Sequence, residues 1–284
     1  MRTISLRSRP GHEHPYCAAA CNICGCTSSR NVIHFPTFEG RGSVYSNVSV
    51  IQCKGCGIRR RSPEIVDDYE EEYHAPYADQ GKAIHSHTLR HFADLMTEMF
   101  KGFRSDQERF LDVGCSTGRV LQLARTMGFL VTGLDYSKWA ANYCQDLGFE
   151  TRHGSLLGQW SDGEQFDVVH SSHTIEHVPD PVAYLMEMHR LLAKGGYLML
   201  AFPNYASIPR LYWQSKWPIW CLDSHLWQFT LQQMVGLCQQ IGFQIVSAEA
   251  LHGWKLRSKI LQAAFDTGQK FKLGCGAQII AKKI

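Results

Sequence analysis

Phe110-Leu111-Asp112-Val113-Gly114-Cys115-Ser116-Thr117-Gly118 is an apolar strand running into a tight glycine turn, and a helical pattern follows from Arg119 to Met127. Strand, glycine turn and helix in that order form the nucleotide-binding corner of a doubly wound α/β domain. Glycines at 114 and 118 permit a sharp turn and a close backbone approach to a ligand. The phosphate-binding patterns G-x-G-x-x-G and G-x-x-x-x-G-K-[ST] are both absent. Asp112 sets a negative charge where a pyrophosphate would sit, which suits a cationic or amino-bearing ligand better. A second apolar stretch, Phe129 to Leu134, ends in another acid, Asp135. That acid lies about 20 residues past the turn, where a carboxylate can accept both ribose hydroxyls.

The segments LDVGCSTG (111–118) and VTGLDYS (131–137) resemble the first two motifs of the class I S-adenosylmethionine (SAM)-dependent methyltransferases. Further on, Phe166 to His170 reads as a short apolar strand, and Ser171 to Pro181 resembles the x-x-E-H-x-x-D-P segment of the small-molecule members. Leu185 to Leu192 reads as a helix broken at Lys194-Gly195-Gly196, and Tyr197 to Asn204 as the fifth strand. The resemblance covers residues 106–284 and implies a Rossmann-like sheet of seven strands whose last is antiparallel. Phe243 to Ala250 is then the sixth strand and Ala277 to Lys282 the seventh, inserted between fifth and sixth, with a helix over Lys255 to Lys270. It also implies SAM as cofactor, held by Asp112, Gly114, Cys115, Gly118, Asp135 and Tyr136. Ser155 and Leu156, after the short third strand Glu150 to His153, fall where the adenine rests, although relatives commonly carry an acid there. The resemblance places His170 and His173 against the cofactor, and His173 could instead contact the substrate.

Composition sets the outer bounds. A chain of 284 residues accommodates one large domain and a small one. A net charge of +3 implies no strong polyanion partner. No apolar run reaches the length of a membrane span, and the first residues lack the apolar core of a secretory signal. The eleven cysteines are odd in number, and Cys115, Cys144 and Cys238 sit inside core elements, which points to a reducing, cytoplasmic setting.

Cys21-Asn22-Ile23-Cys24-Gly25 and Cys53-Lys54-Gly55-Cys56-Gly57 are matched C-x-x-C-G knuckles flanking two strand-like stretches, Asn31 to Phe38 and Ser43 to Gln52. Each turn aims two thiolates at one point, and two such turns complete a tetrahedral Zn²⁺ site. The spacing therefore predicts a structural zinc ribbon over residues 17–62, with Cys21, Cys24, Cys53 and Cys56 as ligands and Cys17 and Cys26 as nearby spares. A redox C-x-x-C pair is the alternative. Residues 63–105 follow as linker and joining helix, its apolar face formed by Leu89, Phe92, Leu95, Met96 and Met99. Arg59-Arg60-Arg61 reads as a solvated edge strand, or as a contact for phosphate. Tyr69, Tyr73 and Tyr77 recur as a helical stripe that reads as packing, or, as the resemblance implies, as a lid over the cofactor.

Methyl transfer from a sulfonium needs a positioned nucleophile and, for a hydroxyl, a base. His225, in a stretch resembling the H-x-x-x-F-T segment of sugar methyltransferases, is expected as that base or as a structural hydrogen-bonder. Glu176 and His177 are the other candidates, and His177 could instead orient its loop. Tyr212, Trp213, Trp217 and Trp220 precede His225 and would either stack on a substrate ring or pack as a lid. The resulting expectation is a SAM-dependent methyltransferase acting on a small metabolite or glycan, with a sugar hydroxyl as acceptor. The rivals are an RNA methyltransferase using the ribbon to bind RNA, and a SAM-binding scaffold without turnover. RNA is disfavoured by the lack of a broad basic surface. C-methylation of a keto-sugar would use the same base.

Overall fold

The computed structural model describes residues 20–39, 44–62, 96, 108–251 and 273–284. The joining helix, apart from the buried helical Met96, lies outside the described residues, as do the tyrosine stripe, Cys17 and the expected helix over 255–270. The described elements are β1 (Ser29–Glu39), β2 (Val44–Cys53), β3 (Arg59–Ser62), β4 (Arg109–Val113), α1 (Arg119–Thr126), β5 (Leu130–Asp135), α2 (Lys138–Asp146) and β6 (Glu150–His153). They continue with β7 (Phe166–Ser172), α3 (Pro181–Leu191), β8 (Leu192–Pro203), α4 (Ile208–Trp213), β9 (Trp227–Gln228), α5 (Leu231–Ile241), β10 (Phe243–Leu251) and β11 (Gly276–Lys283). Two sheets result. Seven strands run in the order β10-β11-β8-β7-β4-β5-β6, and four in the order β1-β2-β3-β9. The last strand, β11, pairs antiparallel with β10 and lies between it and β8, as the resemblance implies.

The chain divides into two compact units, one from 68–171 and 190–197, the other from 1–67, 172–189 and 198–284. In the first, β4 pairs parallel with β5 on one side and β7 on the other, which aligns Asp112 with Gly133 and with His170. A parallel strand covered on both faces must be apolar throughout, and Phe110, Leu111 and Val113 are all buried. Gly133 lies directly beneath α1: a Cβ there would come within 2.9 Å of Leu121 and 3.0 Å of Cys115. The glycine therefore lets helix and strand pack closely.

In the second unit, α5 begins at Thr230, whose hydroxyl accepts from the Gln233 N–H while the Gln233 side chain accepts from the Thr230 N–H. This capping box answers two of the helix's unpaired donors. Leu231, Met234, Leu237 and Cys238 turn one face inward, and Gly242 at φ 111° ends the helix. Thr230→Ala should lower the unfolding free energy by about 1 kcal/mol, read by denaturant titration, with no change in cofactor affinity.

The small sheet corrects one reading. β3 is flanked by β2 and β9, and Arg61 is fully buried, so the arginine triplet is no solvated edge. Trp217 and Trp220 are likewise buried, packed with Tyr205, Leu222 and the β1–β2 residues Phe35, Val48 and Val50. They serve as core, which leaves Tyr212 as the exposed ring of that segment. Among the described residues no helix is long and apolar enough to cross a membrane.

Candidate functional site

The glycine turn after β4 is held in a sparsely populated backbone conformation. Gly114, Ser116 and Gly118 have φ values of 83°, 48° and 71°. Glycine tolerates that region and serine pays for it, a cost borne where the surrounding structure over-determines the turn. The bonds that impose it come from the end of β5. The N–H groups of Gly114 and Cys115 both donate to the Leu134 carbonyl, at 2.8 and 3.1 Å. Asp135 accepts from the Ser116 N–H at 2.8 Å through one oxygen and from the Ser137 N–H at 2.9 Å through the other. Ser137 in turn caps α2. The two bonds tie the carboxylate at the end of β5 to both the glycine turn and the start of α2.

Asp112 is buried at the same strand ends, and its Oδ1 lies 2.7 Å from His170 Nδ1. The His170 ring stacks on Phe110. His170 thus acts first on Asp112. Cys115 packs against Cys144, with 4.0 Å between their sulfurs; the hydrogen bond to Cys144 and burial hold its thiol well above the usual range, so it contributes its backbone. Tyr136 exposes its ring beside Asp135. Leu156 is fully buried, and the Ser155 hydroxyl accepts from the Leu157 N–H, so this stretch offers a ligand main-chain groups rather than the Leu156 side chain. A paired acid, an aspartate at the second strand end and a tightly held glycine turn are the donor set a nucleoside with a free diol would need.

In the other unit, the loop after β7 gathers a carboxylate and three imidazoles. Glu176 is 1% exposed. Its Oε1 receives a hydrogen bond from His173 Nδ1 at 3.3 Å and lies 3.8 Å from His177 Nε2 and 4.0 Å from His225 Nε2. Its Oε2 has no hydrogen-bond partner among the described residues. Backbone bonds create this convergence. The Leu226 and Trp227 N–H groups both donate to the Glu176 carbonyl, at 2.9 and 3.1 Å. His177 Nδ1 donates to the Ser224 carbonyl at 3.1 Å, and Trp227 Nε1 to the Val178 carbonyl at 2.8 Å. His173 sits at φ 54°, an uncommon value for a residue with a side chain.

Burial alone would raise the Glu176 carboxyl, but the His173 hydrogen bond and the surrounding imidazoles outweigh it and hold its pKa at about 2. Burial, reinforced by His177, lowers His225 to about 3 and keeps it neutral. Desolvation pulls His173 down, yet the Glu176 hydrogen bond and charge prevail and raise it. The cluster is therefore an ionised carboxylate backing an elevated histidine that is 62% exposed, beside a neutral, buried one. Ligand atoms of Glu176, His177 and His225 also lie within 4.8 Å of one another, close enough to share a cation.

The four cysteines of the two knuckles form a second such group. Cys21 and Cys56 sulfurs are 3.7 Å apart, and those of Cys24 and Cys53 3.5 Å. Four sulfurs at about 2.3 Å from one tetrahedral Zn²⁺ would be about 3.8 Å apart, so the set fits that ion. Gly25 and Gly57, each following the second cysteine of its knuckle, have φ values of 73° and 77°. Cys26 lies outside this group and its sulfur bonds to the Ser28 carbonyl.

The structure brings Glu176, His177 and His225 together and adds His173, which the sequence left between cofactor and substrate. The two-residue strand β9 had no sequence signal. It runs antiparallel to β3, and the Arg61 N–H donates to the Leu226 carbonyl at 2.8 Å while its guanidinium bonds to the Leu222 carbonyl. The ribbon and the His225 loop are therefore one hydrogen-bonded piece.

Comparison with known proteins agrees with this geometry. A ubiquinone biosynthesis O-methyltransferase of Ruegeria pomeroyi is 36% identical over 94 residues, 31% of this chain and 38% of that protein. The chain thus spans under half the length of this curated relative. Among solved structures, the complex of the Haloferax volcanii Trm112 methyltransferase activator with a methyltransferase matches at a TM-score of 0.55 and 14% identity, covering 73% of this chain and 94% of the other. A SAM-dependent methyltransferase from Archaeoglobus fulgidus matches at 0.51 and 18% identity, covering 74% and 100%. These likenesses show the fold. A family model described as a methyltransferase domain matches residues 84–248, more than half of the 284 residues, and the chain belongs to that family.

Proposed function

We propose that this chain transfers the methyl group of SAM to an oxygen of a small metabolite, a sugar hydroxyl on a free, nucleotide-linked or glycan acceptor. The observation that carries the reading is the buried Glu176 carboxylate with its histidines, in a chain of the methyltransferase family. The O-methyltransferase name of its relatives supports oxygen as the acceptor atom. In this reading residues 106–284 are the catalytic domain, 63–105 the joining segment and 17–62 a ribbon holding structural Zn²⁺ on Cys21, Cys24, Cys53 and Cys56.

SAM supplies an electrophilic methyl on a sulfonium. Asp135 accepts the ribose hydroxyls, the glycine turn at 114–118 lets the backbone approach, and Asp112, kept in place by His170, attracts the amino end. The acceptor hydroxyl must lose a proton as it attacks. His173 is the base: its Nδ1–H donates to Glu176, which leaves Nε2 to take the proton. His225, kept neutral by burial, accepts protons poorly; with His177 it shapes the pocket for the acceptor and steadies Glu176.

His173→Asn should lower kcat by about 100-fold or more with little change in SAM affinity. A base must be deprotonated to act, so the acid limb of kcat/KM should lie above 6.5, because Glu176 raises His173. Glu176→Gln removes what raises it and should move the limb to lower pH. A limb unmoved in Glu176→Gln would remove His173 from the role. The decisive experiment offers methyl-labelled SAM and the purified protein to small-molecule, glycan and RNA fractions of a host extract. Label in the first two supports the proposal; label confined to nuclease-sensitive material overturns it.

A further inference from the structure

The arginines of the small sheet have no task in the chemistry above. Arg30 stands opposite Gln52, Gln52 opposite Arg59, and Arg59 opposite Gln228, across all four strands. Residues in register on neighbouring strands share a face, so the four form one row. The guanidinium of Arg59 lies over the Tyr205 ring at 4.1 Å, and that of Arg210, from α4, lies over the same ring at 4.3 Å. Arg210 is anchored by its Nε, which donates to the Tyr205 carbonyl at 2.9 Å. Arg30 is held by Gln52, whose Oε1 accepts from it twice. Among the described residues no carboxylate pairs with any of these arginines. Arg59 Nε is buried and has no hydrogen-bond partner.

Two cations therefore meet on one ring without an anion, with Arg30 in the same cross-strand row. Burial pushes the Arg59 guanidinium below its usual range, and Arg210 and Arg30 add to that while Tyr205 opposes it. A partly buried charge without a counter-ion is costly, and the cost is recovered when an anion arrives. Guanidinium forks match the oxygens of a phosphate in geometry as well as charge. A single carboxylate would leave most of the charge uncompensated, whereas a diphosphate meets it.

Position links this cluster to the chemistry. Gln228, the last member of the row, is three residues beyond His225 on the segment tied to the Glu176 carbonyl. The pairing of β3 with β9 that sets this row also carries the His225 loop, so the arginine cluster and the histidine cluster are built on one hydrogen-bonded segment.

We propose that Arg59 and Arg210, with Arg30 at the rim, form a subsite for the diphosphate of an organic diphosphate acceptor. The assignment rests on the methyl-transfer reading and narrows it: the acceptor is a nucleoside-diphosphate-linked or otherwise diphosphorylated sugar, not a free one. RNA is the less favoured source of phosphate, because the cluster is compact and centred on one ring instead of extending along a basic track.

The test is calorimetric titration of the full, zinc-loaded chain with inorganic diphosphate and, separately, uridine diphosphate, in the presence of S-adenosylhomocysteine. One site per chain is expected for each, with Kd rising with salt. Arg59→Gln and Arg210→Gln should each weaken binding by about tenfold or more, and Arg59→Lys by less, since it keeps charge and loses the fork. S-adenosylhomocysteine affinity in the same variants reports that they are folded, and Arg210→Gln, outside the sheet, serves if Arg59→Gln fails to fold. Binding indifferent to both substitutions, or no binding of either anion, overturns the subsite. Tighter binding of a single-stranded RNA decamer, lost in the same variants, overturns it in favour of RNA. Label transfer to an uncharged sugar at equal rates in wild type and both variants overturns the subsite while leaving methyl transfer intact.

Discussion

Asp135→Ala will weaken SAM binding by about 100-fold or more, measured by titration calorimetry with SAM or S-adenosylhomocysteine. Two losses add. The carboxylate accepts from Ser116 and Ser137, which hold the strained turn and the start of α2. In the proposed complex it also accepts ribose hydroxyls. Hydrogen bonds to a charged group contribute about 1.5–3 kcal/mol each, and about 2.7 kcal/mol already corresponds to 100-fold. Asp135→Asn should fall between, near tenfold: its carbonyl oxygen serves one serine N–H, but its amide nitrogen confronts the other. Unchanged affinity in Asp135→Ala would remove the cofactor from this end of the sheet.

With the proposed Zn²⁺ on the four cysteines, removing it with a chelator, or Cys53→Ser, will abolish turnover while cofactor affinity changes by less than about threefold. Structural zinc contributes about 10–16 kcal/mol of folding free energy in small metal-held modules, far more than this ribbon can replace by apolar burial. Once it unravels, β9 loses its partner β3, and the Leu222 and Leu226 carbonyls lose Arg61. His225 and the Leu226 and Trp227 N–H groups that hold Glu176 then lose their template. The loss of kcat/KM should exceed about 100-fold, or about 2.7 kcal/mol in transition-state free energy. Hydrogen exchange of amides 222–228 should rise in parallel. Arg61→Met isolates the link: it keeps the cysteines and removes the guanidinium, so metal content should stay at one ion per chain while exchange at 222–228 rises. Full turnover of the metal-free protein would show that the ribbon is independent of the chemistry.

Much of this was legible in the residues. The glycine turn was readable because its requirement is local: positive φ at 114 and 118 is met by glycine and little else. The knuckles were readable because each C-x-x-C-G turn is local and two matched turns flanking strands supply the four thiolates of one metal site. His173 stayed open between cofactor and substrate because the sequence sets it near both the strand end and Glu176; the turn at φ 54° brings it to bond the latter. Arg59 and Arg61 read as a solvated edge because arginine is rarely buried, and because the strand that covers them has two residues and no periodicity.

The sequence by itself determined the α/β class, the acidic strand ends, the cysteine set and the presence of Glu176 and His225, because each is written in neighbouring residues. Only the tertiary structure decided that the ribbon and the His225 loop share a sheet, that Trp217 and Trp220 are core, and that arginines 59 and 210 converge on Tyr205. The reason is range. Turn and helix preferences act over a few residues, whereas the bond from Arg61 to Leu222 closes across 161 positions, and pairing at that distance is selected by packing and hydrogen-bond satisfaction.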